Sequence, residues 1–327
     1  MMGNPPLPWM HSKTDNLTFM KKMVKFLVVP VAVLASLILL YQGDIPVDEL
    51  QKKYTDSHSQ FMPLMGMQVH YRDEGNKNDS IPLVLLHGMS SSLNTWDSLV
   101  LLMKNEKRII SIDLPAFGLT GPNPQNSYGT AYYESFLDSF LLKLNIKQCI
   151  LAGNSMGGGI AWNYTADHPE KVNKLILINA AGFMGKKGKG SLGFTLASMP
   201  ILNNLLLYIT PTFLIRKSLE TIFVNQTKIT EQLVTRFHDL TICEGNRKAA
   251  LSIFKNRVEQ DSDKLKNINT PTLILWGEKD ELINIENAYK FQQSIKGSKL
   301  EIIKNTGHTP MEENPEITAQ LINSFLQ

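Results

Sequence analysis

The sequence predicts a doubly wound α/β fold, with one mostly parallel, eight-stranded sheet, an antiparallel hairpin at its N-terminal edge and a helical insertion late in the chain. Three observations carry this reading. Short runs dense in Leu, Ile and Val recur with little polar alternation, the pattern of strands buried on both faces. Amphipathic stretches separate them, and alternating strand and helix builds parallel sheets. One interval, the 86 residues from Phe183 to Ile268, far exceeds the roughly 20–30 residues of an ordinary crossover and marks an insertion.

Taken in order, residues 1–19, with Pro5, Pro6 and Pro8, read as a disordered leader, and Met20-Lys21-Lys22 would serve as a translation start. Lys21, Lys22 and Lys25 precede an uncharged run from Phe26 to Gly43, and Asp44, Asp48 and Glu49 follow it. Basic, apolar, acidic is the order of an export signal. The run ends Leu39-Leu40-Tyr41-Gln42-Gly43, with no small pair for cleavage and no following Cys for lipid attachment. Residues 20–43 therefore predict an uncleaved, single-pass transmembrane anchor, with Lys25 snorkelling to the head groups. The lysines stay cytoplasmic, and the domain that follows the anchor falls on the periplasmic or extracytoplasmic side of the cell membrane. A buried soluble helix is the alternative. Residues 44–59 read as a linker.

The first part of the core, 60–182, opens with a hairpin, Phe61–Met65 and Met67–Asp73 about Gly66. Buried strands follow at Pro82–Leu86, Arg108–Ile112, Gln148–Ala152 and Lys174–Ile178, with an amphipathic helix at Tyr132–Leu144. The insertion, 183–268, starts on a basic, Gly-rich hinge, Gly185–Gly190. It continues with five helical stretches, Leu192–Met199, Ile201–Ile209, Phe213–Phe223, Thr230–Thr241 and Arg247–Val258, several more apolar than a solvated helix requires. They predict packing on the core, an apolar pocket, or both. The second part of the core, 269–327, carries strands at Thr272–Trp276 and Lys299–Ile303.

Composition excludes other classes. The 327 residues are 43% apolar with a net charge of only +3, against disorder or a nucleic-acid partner. Cys149 and Cys243 are the two cysteines, with no Cys or His near either at metal-ligand spacing. They predict buried thiols, with no metal site or disulfide framework. No cofactor motif is present, and the sequence leaves the oligomeric state open.

The chemistry gathers at Gly153-Asn154-Ser155-Met156-Gly157-Gly158-Gly159, directly after a buried strand. A nucleophile on a sharp strand-to-helix turn is forced into strained backbone angles, and glycines on either side avoid the clashes. Ser155 is thus the candidate nucleophile, at a helix N-terminus that favours developing negative charge. A serine hydroxyl needs a base held by a carboxylate. His11 and His58 lie outside the core, His70 on the hairpin, His168 at a helix end and His238 in the insertion, whereas His308 follows the last buried strand. Asp280, just past Trp276, takes the carboxylate role, with Glu278 and Glu281 as rivals. The backbone N–H of Met156 and of Met89, the latter in His87-Gly88-Met89-Ser90, are candidates for an oxyanion hole. His87 is expected to hold that loop and not to transfer protons.

These residues resemble the α/β-hydrolase superfamily over Gln60 to the C-terminus, through His87-Gly88, Asp113-Leu114-Pro115-Ala116-Phe117-Gly118, the Ser155 elbow, Trp276-Gly277-Glu278-Lys279-Asp280 and Gly307-His308. Gly153–Gly158 with Ile178-Asn179-Ala180-Ala181-Gly182-Phe183 is similar to bacterial lipases and esterases of the cold-adapted group, and the N-terminal anchor to mammalian membrane-bound monoacylglycerol lipases. The resemblance implies a carboxylic ester hydrolase with a helical cap and a small lipophilic ester as substrate. It also implies a structural role for Asp113. One departure is Ala116, where the family's loop usually has Gly.

Dehalogenases and epoxide hydrolases of this superfamily need a carboxylate at the elbow, which Ser155 excludes. The alternatives are a carbon–carbon bond hydrolase of the meta-cleavage-product type, whose elbow is similar, and a cofactor-free perhydrolase. The first typically has a Gly-rich loop after His-Gly and a Trp soon after the catalytic His, where this chain has Met89-Ser90-Ser91-Ser92 and Met311. A non-enzymatic binding protein that kept the fold is a further alternative.

Overall fold

A computed structural model describes residues 26, 39–183, 190, 192–199, 202–255 and 261–327. The expected leader, almost all of the anchor and most of the Gly185–Gly190 hinge lie outside the described residues. Among those described, no helix is long and apolar enough to cross a membrane. Residues Gly43–Gln327 form one compact unit.

That unit begins with α1 (Val47–Tyr54), in the stretch read as a linker. Asp48 and Glu49 in its first turn and Lys52 and Lys53 in its last complement the helix dipole. The segment docks on the insertion: Ile45 N–H donates to Ile242 O at 2.9 Å, and Leu50 packs with Leu119, Leu240 and Cys243. The Tyr54 hydroxyl and Lys53 ammonium both reach Asp239 Oδ2, at 2.8 and 2.6 Å.

The sheet strands are β1 (Ser59–Leu64), β2 (Met67–Gly75), β3 (Leu83–Leu86), β4 (Arg108–Ile112), β5 (Cys149–Asn154), β6 (Val172–Ile178), β7 (Thr272–Gly277) and β8 (Lys299–Ile303). Their spatial order is β1-β2-β4-β3-β5-β6-β7-β8. The β1–β2 and β2–β4 pairs are antiparallel and all others parallel. All eight expected strands are present.

Helices cover both faces, which is why the strand runs lack polar alternation. Val84 and Leu86 of β3 join a core with Phe136, Phe140 and Trp162, from α3 (Thr130–Lys143) and α4 (Met156–Asp167). Leu83 and Leu85 point the other way, to Leu99 and Met103 of α2 (Asp97–Met103) and Ile322 of a terminal helix at Pro315–Leu326. Both cysteines are buried, and burial pushes each thiol up to about 12.

Between β6 and β7 the insertion folds into α5 (Leu192–Ala197), α6 (Leu202–Leu205), α7 (Thr212–Ile222), α8 (Glu231–Thr241) and α9 (Asn246–Lys255). Each expected helical stretch overlaps one of them, and two begin one residue earlier than expected, at Thr212 and Asn246. The greatest difference is at α6, expected over Ile201–Ile209: the chain tightens there into turns, with Leu207 N–H bonded to Asn204 O and Tyr208 N–H to Leu205 O.

Candidate active site

Ser155 joins β5 to α4 with φ 53° and ψ −119°, a sparsely populated backbone state that costs on the order of 1–3 kcal/mol. The surroundings hold it there. Its N–H donates to Ile178 O at 3.1 Å, and its carbonyl accepts from Gly159 and Ala181 at 3.0 and 2.9 Å. A Cβ on Gly153 would lie 2.3 Å from the Gly157 carbonyl carbon, and one on Gly157 would lie 2.2 Å from Leu86 O. Either side chain would push the elbow off the sheet.

The loop after β3 passes directly over the nucleophile. A Cβ on Gly88 would stand 3.0 Å from Ser155 Cβ. Met89 and Ser155 line the same cavity, and Met156 opens α4, where the first amides have no partner within the helix. No bond from the Met89 or Met156 N–H occurs among the described residues.

His87 anchors this loop from beneath. Its Nε2 accepts the Leu114 N–H at 3.0 Å, so Nδ1 carries the proton and donates to Gly88 O at 2.7 Å. Burial pushes its pKa below the usual imidazole range, although Asp113 pulls the other way. A neutral ring with both nitrogens engaged inside the fold has no proton to exchange with a substrate.

His308 follows β8 and is 4% exposed. Its Nδ1–H donates to Asp280 Oδ2 at 2.7 Å, which leaves Nε2 as an acceptor. Asp280 is distinguished from its rivals by what it receives. Leu282 and Ile283 N–H bond its Oδ1 at 2.8 and 3.0 Å, while Glu278 and Glu281 are exposed. Four acceptor sites satisfied by fixed donors hold the carboxylate in one orientation.

Two asparagines to which sequence reasoning assigned no role join these parts. Asn154 Nδ2 donates to Ile178 O at 3.1 Å and to His308 O at 3.0 Å, so the histidine loop is bonded to the residue next to Ser155. Asn179 Nδ2 donates to Asp280 Oδ2 at 2.7 Å, and its Oδ1 accepts Gly277 N–H at 3.2 Å. Asn179 has φ 45°, a left-handed state that Asn tolerates better than most residues, and an Asn directly after a buried strand was the available signal.

Asp113, expected to be structural, is wholly buried and accepts from His70 Nδ1 at 2.7 Å, Leu93 N–H at 2.7 Å and Leu119 N–H at 2.8 Å. Ala116 in the same loop has φ 85°. The glycine usual at that point in similar loops would adopt this state without strain.

Ser155, His308, Asn154 and Met89 share a cavity of about 190 Å³. Its far wall is the insertion, with Leu214, Leu219 and Ile222 of α7, Phe237 of α8 and Leu251 and Phe254 of α9. Arg247 is the one cation among the described lining residues, and Asp44 holds its Nε at 3.0 Å. Such a space sets a hydroxyl and an imidazole acceptor among largely apolar walls. That suits attack on an apolar carbonyl compound. Among the described residues, no group of three or more His, Cys, Asp or Glu could hold a metal ion.

Comparison with known proteins agrees with this architecture. The model of the alpha/beta hydrolase fold family matches residues 81–315. Monoacylglycerol lipase ABHD6 of Homo sapiens is 28% identical over 290 residues, covering 80% of this chain and 83% of that protein. A crystal structure of a membrane phospholipase A, described as a bacterial virulence factor, superposes with a TM-score of 0.73 at 26% identity, covering 94% of this chain and 98% of that one. A meta-cleavage product hydrolase from Pseudomonas fluorescens superposes with a TM-score of 0.71 over 82% of this chain and 96% of that one; at 21% identity it shows the fold alone. The chain belongs to the alpha/beta hydrolase fold family, and lipases are among its similar relatives.

Proposed function

We propose that the protein hydrolyses uncharged, moderately lipophilic carboxylic esters through an acyl-enzyme on Ser155. The Ser155 hydroxyl attacks the ester carbonyl as His308 Nε2 takes its proton, and Asp280 orients the imidazole and stabilises its charge. The Met89 and Met156 amides hold the oxyanion. As the tetrahedral adduct collapses, the C–O bond to the alcohol breaks and His308 returns the proton to the leaving oxygen. Water then attacks the acyl group with His308 again as base, releasing the acid and restoring Ser155.

The observation that carries this reading is a strained serine and an aspartate-held histidine lining one apolar cavity. The lipase and phospholipase relatives support the ester as substrate class. Replacing Ser155 by Ala should abolish turnover of a short p-nitrophenyl ester while leaving the fold intact, and unchanged turnover would overturn the assignment. A vinylogous diketone run beside the ester panel separates the carbon–carbon bond hydrolase.

The domain division follows the same reading: anchor at 20–43, core at 60–182 and 269–327, and cap at 183–268. Lys21, Lys22 and Lys25 ahead of an uncharged run support a single span with the catalytic domain outside. The similar membrane phospholipase A supports membrane attachment. A reporter fused to the C-terminus should be active only beyond the cytoplasmic membrane; activity confined to the cytoplasm would reverse the orientation.

A further inference from the structure

The loop that carries His308 is gripped from the cap side. His308 N–H donates to Ile222 O at 2.8 Å, and Ile222 is the last residue of α7. A Cβ on Gly307 would lie 2.2 Å from that same carbonyl oxygen, so the cap backbone can come this close only because residue 307 has no side chain. After His308 the chain makes one helical turn, α11 (Pro310–Glu313), following α10 (Glu286–Ser294) in chain order. Glu313 then folds back beneath the loop.

The Glu313 side chain spans the seam. It is 2% exposed, with Oε2 accepting Gly307 N–H at 2.7 Å and Oε1 accepting Asn225 N–H at 2.5 Å. One contact is the residue before His308; the other is three residues past α7. Its neighbour Glu312 reaches the cap separately, through Arg236 Nη2 of α8 at 2.9 Å. A buried carboxylate between two backbone donors makes charge-assisted bonds, and neither partner can rotate away as a side chain could.

We infer that Glu313 is a positioning residue which sets the His308 loop against the end of α7, making Ile222–Asn225 of the cap part of the catalytic scaffold. The inference rests on the hydrolytic reading above for its kinetic consequence, but not for its structural one. Ile222 also lines the cavity, so one turn of the cap both walls the substrate space and is bonded to the loop that carries the base.

Glu313→Gln tests it directly. An amide retains the shape but presents an NH₂ to one of the two backbone donors, so one of the two bonds is lost. Displacement of a catalytic group by a fraction of an ångström to 1 Å should lower kcat by about 10- to 100-fold, with KM changed by less than about threefold. The proton NMR resonance of the His308 Nδ1–H bonded to Asp280, at low field, should move or broaden. Unchanged kcat and an unchanged resonance in a folded Glu313→Gln protein would overturn the inference, as would a fall in kcat with the resonance intact.

Asn225→Pro keeps the test decisive should the Glu313 variant fail to fold. Proline fits the Asn225 φ of −81° and removes only the N–H that Glu313 accepts from the cap, together with the side-chain cap on Thr227. Asn225→Ala removes that side-chain cap and keeps the N–H. The inference requires Asn225→Pro to reproduce the lower kcat and altered resonance while Asn225→Ala does not; equal behaviour of the two would refute it. The resonance needs no turnover, so it reads the loop even if esters are not the substrate, whereas Ser155→Ala reads the chemistry alone.

Discussion

Among the described residues, two buried histidine–aspartate pairs share the same 2.7 Å bond from ring Nδ1 to carboxylate, His308–Asp280 and His70–Asp113. The second even has a serine on its other nitrogen, Ser59 Oγ at 3.1 Å from His70 Nε2. By side-chain contacts alone it is the more complete triad. What separates the two is backbone and space. Ser59 opens β1, paired with Arg72 in an antiparallel ladder, and Phe61 stacks on the His70 ring at 4.9 Å. No helix begins after Ser59. Asp113 spends its other lone pairs on the Leu93 and Leu119 amides, as a structural post. Ser155 stands in a strained turn at the mouth of a helix, facing a cavity. Three functional groups in line therefore do not make a site; a strand end, orphaned amides and room for a substrate do.

The sharpest way to break this comparison is to remove each serine. Ser155→Ala should lower ester turnover by about 10⁴-fold or more, as loss of a triad nucleophile does. Ser59→Ala should leave turnover within about twofold while costing on the order of 1 kcal/mol in urea unfolding. Equal losses in activity would erase the distinction.

The aspartates sharpen it next. Asp280→Asn should lower kcat by about 10⁴-fold, because the imidazole loses the partner that fixes its tautomer. Asp113→Asn should act on stability and leave kcat nearly unchanged. Its carboxylate is held below the usual range because the His70 charge and hydrogen bond and backbone donors outweigh the upward push of burial. Removing a wholly buried, paired charge should cost about 3–5 kcal/mol, read as a lower Tm. A larger kcat loss in Asp113→Asn than in Asp280→Asn would invert the assignment.

The smallest effect is in pH. Because burial depresses the His87 pKa, the unfolded chain binds a proton at acid pH that the folded chain refuses, and stability falls as pH drops below about 6.5. Asp113, also depressed, contributes stability that is fully present above about pH 3.9 and lost below it. His87→Gln should flatten this acid limb below about pH 6.5 in denaturant titrations, while the loss contributed by Asp113 below about pH 3.9 persists. A limb identical in wild type and His87→Gln would mean that another group titrates there.

The eight strands and the elbow were legible because their cause is local or periodic. A strand buried on both faces must be apolar throughout, and the sharp turn at Ser155 needs Gly153 where a Cβ would meet the Gly157 backbone four residues on. Asp280 was legible as the first choice from its place just past β7, but what sets it apart from Glu278 and Glu281 was not. That depends on the Leu282 and Ile283 amides and on Asn179, which is 101 residues away in the chain. The stretch 44–59 reads as a linker for the same reason. Its partners, Asp239, Ile242 and Cys243, belong to the insertion, and only the folded chain brings them alongside.

The sequence by itself determined the sheet, the turn that bears Ser155, and His308 at the end of the last strand, because hydrophobic period and steric exclusion act within a few residues. Only the tertiary structure supplied the amides that fix Asp280 against the imidazole, and decided that Asn154 ties the two halves of the site together and that Glu313 joins the histidine loop to the cap. Those bonds link residues far apart in the chain to backbone groups, and a backbone amide carries no mark in the sequence of what it will meet.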